Sequence, residues 1–167
     1  NTDVGEAVTS LSYIDSLGLF HSVITGKTYK FYDMIFKVRE HFESKFYDDD
    51  PIRPHYFYRK TQEGRYRIQN TFHFDRDTNI IRATVQKYDR VPVDTLLTGT
   101  GNTLDIPALF YRVRTMDVDS VAEGVKYPIS FAIDDDVYNF YFILVGKEEK
   151  KIRGLGTFNT LKFAVKL

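Results

Sequence analysis

Four histidines, at positions 21, 41, 55 and 73, are the side chains best suited to move a proton or hold a metal near neutral pH. They are scattered, each on a stretch that reads as a strand, and alternation puts His41 and His73 on polar faces. A solvated histidine is the reading that follows. Asp75, Asp77 and Asn79 match the first three ligand positions of a calcium loop. The sixth position, which needs Gly, is Ile80, and the twelfth, which needs Glu, is Gln86. The acidic triplets Asp48 to Asp50 and Asp134 to Asp136 read as turn tips, where aspartate bonds its own backbone. Gly26-Lys27-Thr28 copies the end of a phosphate loop, but His21 stands where the first glycine belongs. Gly99-Thr100-Gly101 begins a dinucleotide fingerprint whose third glycine is replaced by Leu104. The chain lacks both G-x-S-x-G and H-E-x-x-H. No metal, no cofactor and no catalytic residue is therefore assigned, and the expectation is a protein that is not an enzyme.

Two constellations point to binding. One is an aromatic stripe of Phe36, Phe42, Phe46, Tyr58, Phe72, Phe74, Phe140 and Phe142, expected to line one face of successive strands. Such a face either fills a core or encloses an apolar ligand such as a lipid acyl chain. The other is basic. A three-residue loop, Gln62-Glu63-Gly64, sets Tyr58 opposite Ile68, Arg59 opposite Arg67 and Arg53 opposite His73. Like charges facing each other favour an anionic neighbour, so Arg53, Arg59, Arg67 and His73 form a candidate anion or partner surface.

The elements that must position these residues are mostly strands. The chain has 167 residues, 12 Tyr and 14 Phe, with no Trp and no Cys. Absent cysteine removes disulfides, thiolate metal sites and thiol catalysis together. Equal numbers of basic and acidic side chains, 23 of each, exclude a strongly basic nucleic-acid binder. The longest uncharged apolar stretch, about 140–145, is too short to span a bilayer as a helix.

Period-2 alternation recurs from end to end. Phe36, Val38, Phe42 and Phe46 alternate with charged neighbours, as do Tyr66, Ile68, Phe72 and Phe74, then Ile81, Ala83 and Val85, and finally Leu161, Phe163 and Val165. The run Val137 to Val145 is apolar on both faces and predicts a strand covered on each side. One helix interrupts the strands near 105–117. Asp105 is its N-cap, Pro107 lies in its first turn, and Leu109, Val113 and Met116 form its apolar stripe. The expected fold is mainly β: an antiparallel meander of about nine strands, curved into a sheet or (half-)barrel, in a single domain over 1–167.

The order of landmarks resembles a known family. Gly5-Glu6-Ala7, Gly26-Lys27-Thr28-Tyr29, Tyr32-Asp33 and 36–44 are followed by 105–114, Gly124, Gly146-Lys147-Glu148 and Gly156-Thr157-Phe158. Together they resemble the exported domain-of-unknown-function family of Gram-negative bacteria numbered three-one-zero-eight. The resemblance implies export to the periplasm or outer envelope and an antiparallel β architecture. It supplies no activity and no catalytic residues. Family members carry a further strand or two before the Gly-Glu-Ala motif, so the resemblance also implies an N-terminally shortened domain with an open sheet edge, as monomer or dimer. The function expected is an envelope-located, non-enzymatic module binding lipid or another apolar ligand. The alternatives are a structural or protein-interaction domain with a filled core and, third, an enzyme on glycan or lipid using Tyr111, Arg112 or Arg114.

Overall fold

Alternating sequence becomes alternating burial. The computed structural model describes residues 3–49 and 51–166, so Asp50 of the first acidic triplet lies outside the described residues. Seven strands follow one another as an antiparallel meander: β1 (Gly5–Ile14), β2 (Leu19–Thr28), β3 (Val38–Tyr47), β4 (Arg53–Glu63), β5 (Tyr66–Phe74), β6 (Ile80–Lys87) and β7 (Val93–Thr98). A short helix, α1 (Lys30–Asp33), lies between β2 and β3. The chain then forms β8 (Thr103–Leu104), helix α2 (Ile106–Arg114), β9 (Lys126–Ile133), β10 (Asp136–Ile152) and β11 (Gly156–Lys166). These last strands make a second sheet, ordered β11-β10-β9-β8, in which β8 pairs in parallel with β9.

The mainly antiparallel β architecture is as the alternation predicts, with two corrections. There are eleven strands among the described residues, not about nine, and they divide between two sheets, neither of which closes into a barrel. β1 and β7 are the two edges of the large sheet, and among the described residues β1 pairs only with β2.

The core lies between the sheets. Phe57, Ile68, Phe72, Ile81, Ala83, Val85 and Leu97 of the large sheet meet Ala132 of β9, with Val137 of β10 packed against them. Burying such side chains contributes roughly 1.5–3 kcal/mol each. A second cluster joins Phe46, Leu104 and Ala108, and seats α2 on β3.

The helix begins as expected, with the Asp105 carboxylate accepting from the Ala108 N–H at 2.8 Å. Its buried side matches the predicted stripe in part: Leu109 packs against the second cluster, but Val113 is exposed and Met116 lies past the helix end. Ala108 is buried and the Tyr111 ring lies 5.7 Å from that of Phe46, so the contact face is turned toward Ala108 and Tyr111.

The run Val137 to Val145 is likewise not covered on both faces. Leu144 is buried, but Tyr138, paired with Phe131 near the start of β10, and Val145 are exposed.

Candidate functional site

The β4–β5 turn decides where the basic residues go. It is a two-residue turn, Gly64-Arg65, between the paired Glu63 and Tyr66, and Gly64 has φ 57°. The predicted three-residue loop is therefore corrected. Arg59 lies opposite Asn70, Arg67 opposite Gln62, and Tyr56 opposite His73. This register puts Phe57, Arg59 and Thr61 on the core face and Tyr58 on the opposite face.

The four residues of the predicted anion surface are thereby separated. Arg59 is buried, its Nη1 donating to Asp134 Oδ1 at 2.7 Å. Arg67 is exposed and donates to Asp89 at 2.8 Å. Arg53 sits at the far end of β4, paired with Asp49, and His73 lies there beside the Tyr56 ring.

The aromatic stripe divides as well. Phe42, Phe72 and Phe74 join the main core and Phe46 joins the α2 cluster. Phe36 is exposed beside Gly64, and Tyr58 stacks edge-on with His41 on the other face of the sheet. Phe140 and Phe142 belong to the second sheet, with Phe142 stacked on Tyr127 at 5.0 Å. The rings do not enclose a common cavity: Phe57 and Phe72, at the centre of the packed face, have no exposed surface.

The large open volume is on the opposite, polar face. A groove of about 800 Å³ crosses β1 to β6. Strand register arranges its walls as two rows of side chains. One row is Glu6, Lys27, Arg39, Gln62 and Arg67; the other is Val8, Thr25, His41, Lys60, Gln69 and Gln86. Between them run Gly26, Glu40, Thr61 and Ile68, which form the floor. At about 4.8 Å per strand the furrow is roughly 24 Å long.

Alternation explains why this face is polar: its residues are the partners of the core-facing apolar positions. Alternation alone sets Arg39 and His41 on a polar face, but their junction with Lys60 and Arg67 depends on the β4 register.

The groove carries both signs of charge. Lys27, Arg39, Lys60 and Arg67 share it with Glu6, Glu40 and Asp89, and Arg67 is paired with Asp89. Lys27 pairs with Glu6 at 2.9 Å, and Arg39 is held by Asp33, whose carboxyl is pulled down to about 2 by the Arg39 guanidinium and the Thr28 hydroxyl. Lys60 makes no ion pair among the described residues.

Beneath the floor lies a buried polar chain. Asp134 accepts from Arg59, Arg59 Nε donates to Thr61 Oγ1 at 2.8 Å, and Thr61 donates to Glu40 Oε2. Burial pushes the Glu40 carboxyl up, against the Thr61 hydrogen bond and the Arg59 charge. Its Oε1 is buried without a hydrogen-bond partner. This chain braces the floor from the core side of the sheet, and its Thr61 and Glu40 are themselves among the residues that line the groove.

Among the described residues no group of three His, Asp or Glu side chains is placed to hold a metal ion, and no helix is long and apolar enough to cross a membrane. No curated protein and no solved structure matches the chain significantly. A family model does match, over residues 2–167. The chain belongs to the family described as protein of unknown function (DUF3108).

Proposed function

We propose that this is an exported, non-enzymatic binding module of the cell envelope, and that it holds an extended anionic ligand in the groove across β1 to β6. The observation that carries the reading is the groove itself: about 800 Å³, lined by Lys60, which forms no ion pair among the described residues, by the ion-paired Lys27, Arg39 and Arg67, and by Gln62, Gln69 and Gln86. Cations supply attraction for carboxylate or phosphate, and Gln62, Gln69 and Gln86 supply both donors and acceptors for hydroxyls. A furrow of that length suits a chain of several sugar residues better than a compact metabolite. The ligand class is therefore an acidic glycan.

The lipid reading has less support. An acyl chain needs apolar volume among Phe42, Phe72 and Phe74, and there the rings pack against Phe57 and Ile68. Export and the envelope location rest on the family resemblance, and they agree with an acidic envelope polymer as ligand.

Isothermal titration with polygalacturonate oligomers, neutral dextran oligomers and inorganic phosphate tests the proposal. Binding of the acidic oligomer alone, weakened by added salt and at least tenfold by Lys60→Glu with Arg67→Glu, is expected. Equal affinity for dextran, or an acidic oligomer indifferent to that double substitution, would overturn it.

A further inference from the structure

A meander places alternate connections at the same end of the sheet. The β2–β3 connection with α1, the β4–β5 turn and the β6–β7 connection therefore share one end. They also touch. The Gly64 N–H donates to the Lys37 carbonyl at 2.7 Å, the Phe36 ring lies against Gly64, and the Tyr88 N–H donates to the Arg67 carbonyl at 2.8 Å.

This end is apolar at its tips. Phe31, Met34, Ile35 and Phe36 are 65%, 78%, 75% and 55% exposed within six residues of chain, and Val91 of the β6–β7 connection is 83% exposed. Isolated exposed apolar residues are ordinary; a contiguous cluster marks a contact surface.

The cluster is held in place. Asp33 bonds Thr28 and Arg39, the Val38 N–H donates to Thr28 Oγ1 at 3.0 Å, and the Phe36 N–H donates to the Tyr32 carbonyl at 2.8 Å. The rings are thus displayed by a fixed loop and not by a frayed one.

The charges around it identify the partner. Lys30, Lys37, Arg65 and Arg90 are exposed on the same connections and form no ion pairs among the described residues. The nearby acids are Asp3 and Glu63, which are exposed, and Asp135, Asp89 and Asp33, which are already paired with Lys87, Arg67 and Arg39. Apolar tips ringed by long-stemmed cations fit a bilayer surface. The tips enter the acyl boundary, and the cations reach back to anionic headgroups.

We propose that the α1 end of the sheet docks on an anionic lipid bilayer, with Phe31, Met34 and Ile35 inserted and Lys30, Lys37, Arg65 and Arg90 on the headgroups. This surface adjoins the groove through the Arg39–Asp33 and Arg67–Asp89 pairs, and its own cations are not among those that line the groove.

Vesicle flotation decides the matter, using phosphatidylglycerol–phosphatidylethanolamine vesicles and pure phosphatidylcholine vesicles as probes. The expected result is partition onto the anionic vesicles only, at least tenfold weaker for Met34→Glu with Ile35→Glu and for Lys30→Glu with Lys37→Glu. All four positions are exposed, and circular dichroism of each variant verifies that it folds. Lys60→Glu alone, at a groove position without an ion pair among the described residues, should leave partition unchanged, which keeps this result independent of the glycan reading. Failure of the unsubstituted protein to float with anionic vesicles, or flotation unaffected by the α1-end substitutions, would overturn the proposal.

Discussion

Arg59 of β4 and Asp134 of the β9–β10 turn form an ion pair, Nη1 to Oδ1 at 2.7 Å, that ties the large sheet to the small one. The Asp134 carbonyl also accepts from Asn70 Nδ2 at 2.8 Å, so the turn is bonded to both β4 and β5. Breaking a fully buried pair by removing one partner costs about 3–5 kcal/mol, because the remaining charge is uncompensated.

The two partners are not equivalent. The Arg59 side chain is 10% exposed and that of Asp134 is 32% exposed. Asp134→Asn strands the more deeply buried charge while keeping a residue that tolerates φ 56°, and it should cost about 2–3 kcal/mol. Arg59→Met leaves a carboxylate that can rehydrate, and it should cost less, about 1–2 kcal/mol. Urea unfolding of the two variants measures the order; a reversed order would contradict this account.

Asp105 gives stability a pH dependence. Its carboxyl is fully buried, and burial pushes it from 3.8 up to about 7, outweighing the Ala108 N–H and Ser44 hydroxyl that favour the charged form. A carboxyl raised on folding keeps its proton in the native state after the unfolded chain has lost it. Its stabilisation is complete below pH 3.8 and is lost as pH rises toward 7. At about 1.4 kcal/mol per pH unit, the native protein should lose about 3 kcal/mol between pH 4.5 and 7.5 relative to Asp105→Asn, which retains the cap. Parallel stability curves for the two proteins would rule this out.

Phe72 and Phe36 separate the aromatic stripe into two energetic classes. Phe72 has no exposed surface, and Phe72→Ala should cost about 3–5 kcal/mol. Phe36 is more than half exposed, and Phe36→Ala should stay within about 0.5 kcal/mol. Thermal unfolding followed by near-ultraviolet circular dichroism distinguishes them, and comparable losses would show that the two share one environment.

Gly64 carries the turn that sets the register. A Cβ there would lie 2.8 Å from Phe36 Cε2, at φ 57°. Because the Phe36 ring is free to swing into solvent, Gly64→Ala should cost only the backbone strain, about 1 kcal/mol, with Phe36→Ala giving no rescue. A loss of several kcal/mol that Phe36→Ala relieves would instead place the cost in the clash.

By itself the sequence determined the fold class, the strand faces with one apolar parity and the helix start. Ile68 and Phe72 on β5, and Ile81, Ala83 and Val85 on β6, face the core as their alternation predicts. Asp105 caps α2 because local chemistry suffices there.

The groove and the buried pair depended on β4, where local pattern is silent. Tyr56 and Tyr58 hold one parity and Phe57 the other, so hydrophobicity assigns no inner face, and Arg59 argues against the face that is in fact buried. Only tertiary structure decides it. Arg59 enters the core because Asp134, 75 residues along the chain, supplies the opposite charge there. A contact so distant in sequence leaves no trace in local periodicity. Once it is made, Lys60 and Gln62 turn to the other face and join Arg39, His41 and Arg67 around the groove.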